Sequence, residues 1–153
     1  TVTAASSSSI SDGAAAVVLM KQSTATQRGL KPLARIVAQA SHAQAPEWFT
    51  TAPVGAIQKV LQRAGWTAAD VDLWEVNEAF AGVAMAAMRD ICIDHAKLNV
   101  NGGACALGHP VGATGARIVT TLLHALKRRG GKRGVASLCI GGGEATAIAL
   151  EII

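Results

Sequence analysis

The sequence predicts an α/β fold: a mixed sheet of about five strands with helices packed on its faces. Three observations predict it. Apolar runs of strand length alternate with segments of helical spacing, glycines and prolines punctuate their junctions, and the last two apolar runs are joined by three consecutive glycines. With 153 residues the chain is expected to be one domain, long enough to bury a core. Half of the residues are apolar but only 3% are aromatic, so small aliphatic side chains packed closely must form that core.

The Ser-rich opening, 1–11, reads as a loop. Asp12-Gly13 turns the chain into an apolar run, 14–20, with the character of a buried strand. A short helix over 23–28 ends at Gly29, and 33–40 alternates as the next strand. An irregular, aromatic-bearing loop spans 46–53. The helix over 56–64 spaces Ile57, Val60, Leu61 and Ala64 along one face and stops at Gly65. A strand over 71–76 precedes a helix over 79–91 with Phe80, Val83, Ala84, Ala87, Met88 and Ile91 on one side.

The segment 98–105 is interrupted by glycine. Pro110 is expected to begin a long helix with Ile118, Val119, Leu122, Leu123 and Leu126 as its buried stripe. Arg117, Thr120, Thr121, His124 and Arg128 fall on its wet face. Lys127, Arg128 and Arg129 complement its C-terminal dipole before Gly130 ends it. Strands over 135–140 and 144–153 form a hairpin through Gly141-Gly142-Gly143.

Composition narrows the function classes. The net charge of +4 suits an anionic partner, or simply solubility. The one basic cluster, Lys127 to Arg129 with Lys132 and Arg133, has no interleaved aromatics, which argues against nucleic acid. No apolar run reaches the length of a membrane span. Three cysteines without C-x-x-C pairing favour free thiols in a reducing compartment, here the cytoplasm or an organelle matrix. No His, Cys, Asp or Glu spacing suggests a metal site.

Three glycine-flanked segments carry the chemistry. Asn77-Glu78-Ala79-Phe80 follows a strand and opens a helix, where ligand-handling groups gather in α/β sheets. Asn77 is equally suited to cap that helix and Glu78 to its first turn. In the segment Gly102 to Gly115, Pro110 at the first helical position would set His109 beside the N-cap. The positive helix end would then keep the imidazole neutral, as a general base requires. A cap histidine satisfied by backbone is the plainer alternative. Cys139-Ile140-Gly141-Gly142-Gly143 ends an apolar strand with a thiol beside sterically open N–H groups that could serve an oxyanion. A buried thiol before a glycine turn would look the same. Cys92 and Cys105 read as packing residues, and His42, His95 and His124 as solvent-facing or loop residues.

Taken in order, these segments resemble the thiolase family over essentially the whole chain. Asn77 to Phe80 matches the family's N-E-A-F, Gly108-His109-Pro110 its G-H-P, and Cys139 to Gly143 its C-x-G-G-G. Thr1-Val2-Thr3-Ala4 and Ser11-Asp12-Gly13-Ala14-Ala15 resemble the start of the thiolase C-terminal half. The resemblance implies coenzyme A thioesters as substrates, no cofactor, and a reversible Claisen condensation giving a 3-ketoacyl-CoA, of short chain such as acetoacetyl-CoA. It implies that His109 activates a nucleophilic cysteine and, with a water held by Asn77, forms one oxyanion hole. Cys139 becomes the acid/base at the α-carbon, and the Gly141 N–H serves a second oxyanion hole. Ser8 and Phe80 match positions lining the pantetheine channel.

The sequence also departs from the family pattern. The loop around residues 4–8 lacks the usual Asn, and Phe49 stands where short-chain members often carry Met, which bears on the acyl pocket. The resemblance further implies that the acylated cysteine belongs to a first half which this sequence does not supply. The chain is therefore expected to be inactive alone, to expose an apolar face, and to act with an N-terminal thiolase half, in a homo-oligomer. The rival readings are a 3-ketoacyl synthase-like condensing enzyme, disfavoured by Cys139, and a non-catalytic acyl-CoA-binding module, which would not need His109 and Cys139 to converge. Dinucleotide binding fails for want of a G-x-G-x-x-G after a strand.

Overall fold

The computed structural model describes residues 2–153, so Thr1 of the opening motif lies outside the described residues. Its centre is a four-stranded mixed sheet. The strands are β1 (Ala34–Ala43), β2 (Leu73–Val76), β3 (Arg133–Ile140) and β4 (Glu144–Ile152), in the order β1-β4-β3-β2. β4 runs antiparallel to both β1 and β3, while β2 and β3 are parallel. That parallel pair brings the carboxyl ends of β2 and β3 to the same end of the sheet.

Five helices accompany the sheet: α1 (Gln22–Gln27), α2 (Ala52–Ala64), α3 (Ala81–Ile91), α4 (Ala104–Leu107) and α5 (Thr114–Arg129). α2 and α3 cover one face, burying Ile57, Val60, Val83 and Ala87 against Trp74, Val76, Val135 and Ala147. α5 covers the other with Ile118, Leu122, Ala125 and Leu126 against Leu73, Ala136 and Leu150. The sheet's inward positions are mostly Ala and Val, which lets helix backbones approach closely, as the scarcity of aromatics foretold. Gly65 and Gly130 end α2 and α5 in the left-handed conformation, at φ 68° and 70°.

Four expectations need correction. The run 14–20 joins no strand among the described residues, and Val17, Val18, Leu19 and Met20 are exposed. The sheet thus has four strands, because apolar content signals a surface that wants covering but does not say by which chain. The segment 46–53 is not irregular: Pro46–Thr51 is a 3₁₀ helix leading directly into α2. α5 begins at Thr114, not Pro110, because the Pro110 carbonyl is taken up in a tight turn by the Ala113 N–H at 2.8 Å and the Thr114 hydroxyl at 3.0 Å. Cys92 and Cys105 are exposed rather than packed, Cys92 ending α3 at φ 61°.

The turn between β3 and β4 is fixed by Gly143. Its φ is 92°, and a Cβ there would run into the Gln44 carbonyl oxygen and the Pro46 backbone. Gly143→Ala should therefore destabilise the chain by roughly 1–3 kcal/mol, read as a lower thermal midpoint, since neither the backbone angle nor the space admits a side chain. An unchanged midpoint would show that this turn relaxes freely.

Candidate active site

His109 is held from both ring nitrogens. Its Nδ1 lies 2.7 Å from Thr114 Oγ1, and its Nε2 lies 3.4 Å from Asn77 Nδ2. The Thr114 hydroxyl gives its only hydrogen to the Pro110 carbonyl, so toward His109 it can only accept. The proton therefore sits on Nδ1, and the Nε2 lone pair faces Asn77. The backbone on the other side is fixed by the N-terminal segment: the His109 N–H donates to the Ser9 carbonyl at 2.9 Å, and His109 pairs with Ile10. Gly108 permits that approach, since at φ 94° a Cβ would meet the Ser11 side chain.

The imidazole is pushed below the ordinary histidine range first by burial and then by the Arg117 charge. The expected neutrality therefore has a different cause from the one foreseen. His109 is not at a helix N-cap, because α5 starts at Thr114.

Asn77 follows β2 and is 2% exposed. Its N–H continues the parallel ladder to the Ser137 carbonyl at 2.9 Å, while Phe80, not Asn77, is the N-cap residue of α3. The side chain is left for other contacts: Nδ2 toward His109 and Oδ1 accepting from Arg117 Nη2 at 3.2 Å. Glu78 does not serve the first turn of α3 either. Its carboxylate accepts from Asn99 Nδ2 at 3.0 Å and from the Cys105 N–H at 3.1 Å, tying the 99–105 segment to the end of β2.

Cys139 lies on β3 two residues beyond Ser137, at the same end of the sheet as Asn77. It packs against the core beneath α2 and α3, whereas Asn77 reaches toward α5. The structure thus brings His109 and Asn77 into direct contact and sets Cys139 at the same strand ends, on the sheet's other face. Burial pushes the Cys139 thiol above its ordinary value. Gly141 begins the turn; its N–H finds no backbone acceptor among the described residues, and a Cβ there would meet nothing.

Phe49 and Phe80 meet edge to face, with ring centroids 6.0 Å apart. Ser8 ties the N-terminal segment to the same place, its hydroxyl donating to the Ala79 carbonyl at 2.9 Å. His95 and His124 are exposed as expected, but His42 is half-buried on β1, 3.1 Å from Gln44 Oε1. Among the described residues no group of His, Cys, Asp and Glu could hold a metal ion, and no helix is long and apolar enough to cross a membrane.

The site also contains residues that the sequence reading passed over. Arg117, assigned to the wet face of α5, is only 18% exposed, and its Nη1 lies 3.8 Å from Glu75 Oε2. Thr114 is 1% exposed. Glu75 is 2% exposed, and as the only acid in a strand of otherwise apolar residues it was a readable signal that a cation must sit nearby.

Residues 30–152 match the family model for the thiolase C-terminal domain. The chain belongs to the thiolase family. It is 54% identical over 150 residues to the acetyl-CoA acetyltransferase of Allochromatium vinosum, and 52% identical over 151 residues to the cytosolic acetyl-CoA acetyltransferase of Mus musculus. Those alignments take in 98% and 99% of the chain but 38% of each relative, so this thiolase segment spans well under half their length. Its fold superposes on the crystal structure of Bacillus anthracis acetyl-CoA acetyltransferase with a TM-score of 0.96 at 45% identity. With human mitochondrial 3-ketoacyl-CoA thiolase the TM-score is 0.91 at 40% identity. Both matches cover 99% of this chain and under two-fifths of the solved one.

Burial dominates Glu75, pushing its carboxyl up to about 7 against the pull of Arg117. A folded-state value above the ordinary 4.5 contributes stability that is present below 4.5 and lost as pH rises through about 7. Glu75→Gln should accordingly flatten the fall in urea midpoint between about pH 4.5 and pH 7. Parallel curves for the two chains would mean that Glu75 titrates as an exposed carboxylate does.

Proposed function

We propose that this chain is the acid/base half of an acetyl-CoA acetyltransferase. The reaction joins acyl-CoA and acetyl-CoA into a 3-ketoacyl-CoA and free CoA, and runs in reverse as thiolysis, with acetoacetyl-CoA as the short-chain case. The observation that carries this reading is the neutral His109, protonated on Nδ1 and presenting its Nε2 lone pair beside Asn77. It occurs in a chain whose relatives are named as acyltransferases.

In this reading the Nε2 lone pair takes the proton of a nucleophilic cysteine contributed by the N-terminal thiolase half. After acyl transfer to that cysteine, His109 and a water held by Asn77 steady the thioester oxygen of acetyl-CoA as its enolate forms. Cys139 moves the α-proton. Its raised value suits both directions: the thiol is the resting form that returns a proton in cleavage, and in condensation the CoA thiolate released on acyl transfer takes that proton, leaving a thiolate in a dry pocket as the base for a weakly acidic C–H. The Gly141 N–H serves the acyl-enzyme oxygen. Ser8 and Phe80 line the pantetheine channel, and Phe49, against Phe80, shapes the acyl pocket. No cofactor or metal is needed.

The exposed apolar side chains of Val18, Leu19, Leu30 and Leu33 form part of the surface that the N-terminal half would cover, and the paired halves assemble further as a homo-oligomer. A reducing compartment, the cytoplasm or an organelle matrix, keeps Cys139 free.

Measurements on the chain alone and on the chain joined with the N-terminal half test the reading. The chain alone should show no acetyl transfer; robust transfer without an added N-terminal half would refute the division of labour. Joined with that half, His109→Ala and Cys139→Ala should each lower turnover by about 10²–10⁴-fold. Cys139→Ala alone should still let the first cysteine be acetylated while abolishing deuterium exchange into the acetyl-CoA methyl group. The acid limb of kcat/KM should fall below the ordinary histidine value of 6.5, since the neutral base is lost only as pH drops through a lowered value. Undiminished methyl exchange in the Cys139→Ala enzyme would remove Cys139 from the mechanism.

A further inference from the structure

We propose that Arg117 is a positioning residue for the His109 base: its guanidinium decides which way round the Asn77 amide sits, and so what the His109 Nε2 lone pair faces. This rests on the reading of His109 as the base.

The argument turns on donors and acceptors. A carboxamide has one accepting end and one donating end, and a guanidinium can only donate. With Arg117 Nη2 at 3.2 Å, the near end of Asn77 must be Oδ1, which turns Nδ2 toward His109. The Thr114 hydroxyl, spent on the Pro110 carbonyl, has already placed the imidazole proton on Nδ1. An amide N–H therefore meets a lone pair across 3.4 Å, long enough to orient the ring without occupying Nε2. Reversing the amide would set Oδ1 against that lone pair and an NH₂ group against the guanidinium, two repulsions at once.

Arg117 is held for this task from two sides. It lies three residues after Thr114, so one turn of α5 presents both the group that fixes Nδ1 and the group that fixes Asn77. Behind it stands buried Glu75, two residues before Asn77 and on the same side of β2, with Oε2 3.8 Å from Nη1. Arg117 Nε and Nη1 and Glu75 Oε1 have no hydrogen-bond partner among the described residues, so the pair is a poor structural tie. The one hydrogen bond the guanidinium makes goes to Asn77. The charged groups on the elements that meet at the site are Arg117 on α5, Glu75 on β2, Glu78 after β2 and, in the N-terminal segment, Asp12, which shares a shallow groove with Pro110. Of these, Arg117 opposes protonation of His109.

The test is imidazole ¹⁵N NMR on the labelled chain, with circular dichroism to confirm folding. The wild-type chain should show His109 protonated on Nδ1 and titrating below the ordinary histidine value. Arg117→Met should keep the Nδ1–H tautomer that Thr114 fixes, but move the midpoint up toward that value and displace the Asn77 side-chain amide resonances. Arg117→Lys should recover the low midpoint, because it restores the charge, but not the wild-type Asn77 amide resonances, because it lacks the planar guanidinium. In the chain joined with an N-terminal half, Arg117→Met should lower kcat with KM little changed. A folded Arg117→Met chain with the wild-type Asn77 amide resonances and midpoint would overturn the proposal while leaving the base role of His109 intact, since that role is decided by the turnover of His109→Ala. If the Met variant does not fold, Arg117→Gln supplies the same comparison of Asn77 resonances and His109 midpoint, and a proton found on Nε2 of the wild-type chain contradicts the arrangement.

Discussion

The hydrogen bond between His109 Nδ1 and the Thr114 hydroxyl is the constraint from which the rest of the site follows. A hydroxyl whose own hydrogen is already committed leaves the imidazole no choice of tautomer. That one fact makes Nε2 a lone pair, gives the Asn77 amide a preferred side to present, and explains why a cation can stand near the ring without being repelled by it. Burial acts in the same sense, so covalent position, hydrogen bonding and desolvation agree on an uncharged ring. The interaction depends in turn on α5 starting where it does, since a helix opening at Pro110 would carry the threonine away from the ring.

Much of this was readable from residue order. The 3.6-residue spacing of Ile118, Val119, Leu122, Leu123 and Leu126, closed by Gly130, specifies α5 and its inward side, although Val119 and Leu123 are only half-buried and Ala125 is buried as well. The apolar runs flanking three glycines specify the hairpin, and Asn77, His109 and Cys139 stand out by their glycine settings and their match to the thiolase pattern. Less legible was whatever depends on a distant partner. Helical periodicity sorts side chains by polarity, so it sends every arginine to the solvent side. Arg117 goes inward because Glu75 and Asn77, some forty residues earlier, meet it there. The apolar run around Val18 failed for the complementary reason, since a pattern records a need for cover and not its source.

The Asn99 side chain illustrates how tightly the end of β2 is built. Standing at φ 46°, Asn99 donates to the Val76 carbonyl and accepts from the Val76 N–H, both at 2.9 Å, acting as a one-residue strand on the sheet's outer edge. It also donates to Glu78. The residues on either side of Asn77 are thus pinned by side-chain hydrogen bonds, which leaves the carboxamide itself as the adjustable part. With the backbone on either side so held, what Asn77 presents is decided by the orientation of its amide alone.

The sharing of one helical turn between Thr114 and Arg117 has a mechanical consequence. Any tilt or slide of α5 moves Thr114 and Arg117 together, so the contacts that orient the imidazole and the amide shift in step while Asn77 stays anchored on the sheet. Cys139 rides on a strand instead. Such motion would change the gap between His109 and Cys139 while leaving each group in its own surroundings, so spacing and local environment can vary independently.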